Sequence, residues 1–179
     1  MCYYAIDVTA LMGPLFDYTQ AIPPGFERPV QGRLLMDEGY FLGRQASKQL
    51  DCVQQFLHSG VPVRKFRLGG SGFAILHTKS IVIDDIIFVS GSLNLTNNGE
   101  TNNTEEMIAT FGPSVVRQRK ATFERHWNDE RATPVDMDMI RRLYKQPPAF
   151  RRGPSRSLSR SSSSAAAPAY ASQSERRVN

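Results

Sequence analysis

The stretch His77-Thr-Lys79-Ser-Ile-Val-Ile-Asp84-Asp85-Ile-Ile-Phe-Val-Ser-Gly91-Ser92-Leu-Asn94-Leu-Thr96, continuing to Glu105-Glu106, decides the fold and the chemistry of this chain. It predicts a strand carrying a histidine and a lysine, a tight turn at Asp84-Asp85, a second apolar strand and a polar loop. Residues two apart in a strand project from one face, so an imidazole and an ammonium would sit side by side, an arrangement that suits an anion such as a phosphoryl group. The same offset recurs at Ser92 and Asn94, and a hairpin would return this second pair to the first. Packing alone gives no reason for four convergent polar side chains.

His77, Lys79 and Asp84 fit the H-x-K-x4-D pattern of the phospholipase D superfamily, and Gly91-Ser92-x-Asn94-x-Thr96 resembles the G-S-x-N-x-T segment that follows it. Glu105 resembles the acidic residue that closes the motif. The short layout with one motif is most similar to the branch of bacterial endonucleases and mitochondrial cardiolipin hydrolases of the Zucchini type. The resemblance implies a mixed, mostly parallel sheet flanked by helices on both faces, and hydrolysis of a phosphodiester.

In the expected chemistry His77 attacks phosphorus, since imidazole is partly neutral near neutral pH. Lys79 and Asn94 would hold the non-bridging oxygens, with Ser92 donating to them or fixing Asn94. Glu105 would hold the second ring nitrogen of His77, with Glu106 as the fallback if the loop register shifts by one. Asp84 belongs to the motif, yet it sits in an acidic turn that a structural role also explains. The site calls for no metal and no cofactor, because its carboxylates are not spaced as a cation cage and lysine would compete with one. The leaving alkoxide needs an acid, and with one motif per chain a homodimer would supply it as the partner subunit's His77.

The 179 residues suffice for one domain, and no second copy of the motif is present. Residues 1–146 carry 16 basic and 16 acidic side chains, against 6 and 1 in 147–179, so the net charge of +5 sits in the tail. Cys2 and Cys52 offer neither a disulfide framework nor a zinc motif. No apolar run approaches the length of a membrane span, although mitochondrial relatives carry an N-terminal anchor, which would place such a protein on the mitochondrial surface.

Further strands are expected over Tyr3–Asp7, Val30–Met36, Val61–Phe66, Phe73–Leu76 and Met107–Phe111. Helices are expected over Ala10–Ala21, Ser47–Ser59, Ser114–Asn128 and Asp136–Lys145, the third turning Val115, Val116, Phe123 and Trp127 toward the sheet. Alternation of this kind makes an α/β domain over 1–146. From Pro147 onward Ser, Ala, Pro and Arg make up 25 of 33 residues, a composition that predicts a disordered basic arm. Such an arm would contact RNA or anionic lipid weakly, with serine phosphorylation reversing its charge.

Two substrate classes remain open. Single-stranded nucleic acid would want a basic groove, for which Arg64, Lys65 and Arg67 are candidates. A phospholipid such as cardiolipin would want an apolar rim, with Phe41, Leu42 and Phe73 at hand. A different class of function is a non-catalytic RNA-binding or scaffold protein that works through its Ser/Arg tail.

Overall fold

A computed structural model describes residues 2–3, 27, 30–43, 46–69 and 74–146 of the chain. Among the described residues seven strands form one sheet: β1 (Cys2–Tyr3), β2 (Leu34–Asp37), β3 (Val63–Phe66), β4 (Lys79–Ile83), β5 (Ile87–Gly91), β6 (Met107–Thr110) and β7 (Ala132–Val135), in the order β6-β5-β4-β1-β2-β3-β7. The helices among the described residues are α1 (Glu38–Phe41), α2 (Ala46–His58), α3 (Asn97–Thr101), α4 (Pro113–Trp127) and α5 (Met137–Lys145).

The mixed α/β class holds, but the balance within the sheet differs from the mostly parallel expectation. Among the described strands β1–β2 and β2–β3 pair in parallel, whereas β1–β4, β4–β5, β5–β6 and β3–β7 are antiparallel. The tight turn at residues 84–86 accounts for one of these pairs, β4–β5, since a parallel return needs a dozen or more residues.

Alternation along β2 splits the core. Leu34 and Met36 face a cluster with Leu50, Val53 and Phe56 of α2 and Ile140 of α5, while Leu35 faces Phe66, Leu76 and Trp127 on the α4 side. Helices therefore cover both faces. Arg33 clamps α4: its guanidinium stacks 5.1 Å from the Phe123 ring centre and 5.3 Å from that of Trp127, and forks onto Glu124.

The predicted helix boundaries agree closely for α2, α4 and α5. Gly60, at φ 72°, takes the left-handed conformation just past α2 that glycine adopts without steric cost. Pro113 opens α4, and Asp136 caps α5 by accepting the Met139 N–H at 2.7 Å. Val115 departs from expectation: it is exposed, and Val116 takes the buried position. The expected helix Ala10–Ala21, most of the strand Tyr3–Asp7 and the tail from Pro147 lie outside the described residues. Among those residues no helix is long and apolar enough to cross a membrane.

Candidate active site

Strands β4 and β5 form the expected hairpin, paired from Ser80–Ser90 to Ile83–Ile87. Asp84 and Asp85 adopt φ 49° and 59°, and the Ile86 N–H closes the turn on the Ile83 carbonyl at 2.9 Å. Aspartate is one of the few residues that enter this left-handed region readily. Asp85 also pairs with Lys120 of α4 at 2.5 Å. Asp84 thus sits at the far end of β4 from Lys79, about 17 Å away at strand rise. Of the two roles the sequence allows Asp84, this geometry favours the structural one, in the turn that sets the hairpin register.

The opposite end of the hairpin gathers the remaining motif residues. His77 lies just ahead of β4 rather than within a strand, and its side chain is exposed, whereas Lys79 is buried. A backbone link joins the two residues, in which Lys79 Nζ donates to the His77 carbonyl at 2.9 Å. One step beyond the Ser80–Ser90 pair, Lys79 lies across from Gly91, which in turn pairs with Met107 of β6. A Cβ on Gly91 would stand 1.9 Å from the Glu106 carbonyl oxygen, so only glycine permits this approach.

Ser92 then joins two segments. Its Oγ donates to Glu105 Oε2 and accepts the Glu106 N–H at 3.1 Å, while its own N–H donates to the Glu106 carbonyl at 3.0 Å. Asn103 Nδ2 donates to the other Glu105 oxygen at 3.0 Å. The Ser92 and Asn103 hydrogen bonds, aided by the Lys79 charge, hold the Glu105 carboxyl below the usual carboxylate range. Burial pushes the Lys79 ammonium down from its ordinary value, and the Glu105 charge opposes that shift. An ammonium and a carboxylate thus face the same spot.

The expected contact of Glu105 is with His77; the partners its oxygens have here are Ser92 and Asn103, and Asn103 carried no role in the sequence reading. Its signal was its place two residues before the glutamate. Glu106, the fallback, contributes its backbone to Ser92 and leaves its side chain exposed.

Asn94 is held by local architecture. Its carbonyl accepts the Thr96 N–H at 2.8 Å, and Thr96 caps the short helix α3 by accepting the Gly99 N–H at 3.2 Å. A Cβ on Gly99 would meet the Asn94 carbonyl at 2.5 Å. Leu95 anchors the segment in the core. The Asn94 side-chain oxygen is buried and finds no hydrogen-bond partner among the described residues.

Arg64, Lys65 and Arg67 do not form the anticipated basic groove. Arg64 stacks on Trp127 at 4.9 Å and donates to its carbonyl, while Lys65, on the other face of β3, is engaged by Glu38 and Thr133. Arg67 extends into solvent and lies 3.8 Å from Glu38. A cavity of about 800 Å³ lies between α4 and β4–β6, lined by Val82, Phe88, Ile108 and Phe123 among others. His77, Lys79, Ser92, Asn94 and Glu105 are not among the residues that line it. Among the described residues no cluster of three or more His, Cys, Asp or Glu side chains could hold a metal.

The family model for the PLD-like domain of cardiolipin synthase matches residues 6–127, well over half of the chain. No curated protein sequence matches it. Among solved structures, the chain is similar to Nuc from Salmonella typhimurium, a phospholipase D family member, with a TM-score of 0.58 and 23% identity over 75% of this chain and 79% of that one. It is also similar to NucT from Helicobacter pylori, with a TM-score of 0.53 and 15% identity over the same shares. At these identities the two structures speak for the fold, and the family match carries the assignment: the chain belongs to the phospholipase D superfamily, a family of phosphodiesterase type.

Proposed function

We propose that the protein hydrolyses a phosphodiester through a phosphohistidine formed on His77. The supporting observation is the meeting of Lys79, Ser92 and Glu105 beside the His77 main chain, at the end of the hairpin opposite Asp84. In the first step an imidazole nitrogen bonds to phosphorus as the bond to the leaving alkoxide breaks. The partner subunit's His77 gives that alkoxide its proton. In the second step water attacks the phosphohistidine, the same partner imidazole takes the water's proton, and the nitrogen–phosphorus bond breaks. Lys79 and Asn94 hold the non-bridging oxygens as charge develops.

The chemistry suits a phospholipid such as cardiolipin or a single-stranded nucleic acid. The internal engagement of Arg64 and Lys65 removes one argument for the latter. The test is turnover of cardiolipin, phosphatidylcholine, single-stranded RNA and single-stranded DNA by the full chain with chelator present, beside His77→Asn. Turnover of at least one substrate by the parent, lost in the variant, is expected. Equal turnover by both proteins would remove His77 as nucleophile, and activity confined to a monomer would remove the shared acid.

A further inference from the structure

Asp37 ends β2, is only 3% exposed, and carries a carboxylate that the proposed reaction does not use. Burying such a group is costly unless its oxygens are hydrogen-bonded, and both are. Oδ1 accepts the Tyr40 N–H at 2.7 Å, an ordinary cap on α1. Oδ2 accepts the Leu76 N–H at 2.8 Å, a buried bond to a residue 39 positions later.

Leu76 immediately precedes His77 and is itself fixed, 2% exposed among Leu35, Phe66 and Trp127. Across it the His77 N–H closes a tight turn on the Ile75 carbonyl at 3.0 Å. On the other side the His77 carbonyl is held by Lys79 Nζ. His77 therefore presents an exposed imidazole from a main chain pinned before and after it. The charged bond from Asp37 reaches in from β2, 39 positions earlier in the chain.

We propose that Asp37 is a positioning residue: by holding the Leu76 N–H, its carboxylate sets the place from which the His77 imidazole reaches phosphorus. This role rests on His77 acting as the nucleophile. Displacements of about 1 Å in a reacting group cost up to about 100-fold in rate, so a distant anchor of this kind is visible in turnover.

The test compares the full-length parent with Asp37→Asn and Asp37→Ala. Asparagine caps helices as well as aspartate does, so it keeps the α1 bond while setting an amide N–H against the Leu76 N–H. Alanine removes both acceptors and covers the case in which the amide turns over. Hydrolysis of bis(4-nitrophenyl) phosphate is read as kcat and KM separately, and amide exchange is followed at Leu76. The imidazole resonances of His77 are compared with those of His58, at the end of α2, and with the Ile140 amide on the opposite sheet face.

Expected are a kcat lower by about 10- to 100-fold with KM within about twofold, Leu76 exchange faster by about tenfold or more, and shifted His77 signals beside unmoved His58 and Ile140. Release of the Leu76 amide with kcat and His77 signals as in the parent would overturn the role. So would shifts of His58 and Ile140 together with His77, which would make Asp37 a general packing residue. If the parent shows no turnover while His77 alone moves, the nucleophile reading fails and the link from Asp37 to His77 stands.

Discussion

Ser92 and Glu105 form the contact on which the site's electrostatics turn, because the serine hydroxyl is the first cause of the depressed carboxyl. A carboxyl depressed in the folded state adds stability above its unfolded pKa and loses it as pH falls through the folded value. Ser92→Ala should therefore lower the melting temperature at pH 7, and that difference should shrink in a pH series run down through the carboxylate range. A difference independent of pH would mean that Ser92 does not act through Glu105. Lys79→Ala should cost turnover about 100-fold or more while the fold persists, the size of loss that removal of a transition-state donor brings. Unchanged kcat with circular dichroism like the parent's would remove Lys79 from the site. At this scale the sequence was informative about residue types: Lys79, Ser92 and Glu105, all singled out in it, meet beside the His77 main chain. It was silent on which partners close the network, since Asn103 and Asp37 reach their contacts through loop geometry and strand adjacency that no period in the sequence records.

The hairpin is the element that carries the site, and its two ends do different work. The turn end uses Asp84 in a left-handed conformation, so Asp84→Gly should leave turnover within about twofold and stability within about 1 kcal/mol, glycine adopting that backbone freely. A loss of turnover comparable to that of Lys79→Ala would give Asp84 a direct part in the chemistry. At the site end, Gly91→Ala would force β5 and β6 apart and should destabilise by about 3 kcal/mol in denaturant unfolding, since the approach to Glu106 leaves no room for a methyl group. The elements with strong periodicity, α2, α4 and α5, were legible because an apolar stripe and a cap mark each of them. β7 and the short helices α1 and α3 were not: four or five residues hold too few apolar positions for a pattern to emerge, and tertiary pairing creates them. The antiparallel bias of the sheet escaped for a related reason. Strand order depends on which edges meet: the β4–β5 hairpin was expected, whereas the antiparallel pairs β1–β4 and β3–β7 join segments far apart in the chain.

For the whole molecule, the balanced charge of residues 1–146 and the basic excess beyond them separate the proposed roles of domain and tail. Deleting residues 147–179 should leave kcat on a small phosphodiester within about twofold of the full chain, whereas a protein acting through its Ser/Arg segment would lose its binding. The proposed two-fold arrangement requires that mixing His77→Asn with an excess of active protein draw active chains into impaired pairs, readable as a loss of turnover beyond dilution. The most direct measurement is capture of the covalent intermediate: the full chain is rapidly quenched at alkaline pH during turnover of a phosphodiester, digested, and its phosphorylated residue located by mass spectrometry. An acid-labile adduct on His77, absent in His77→Asn, is the expected result. Turnover with no adduct on His77, or with the adduct on another residue, would contradict the proposed mechanism.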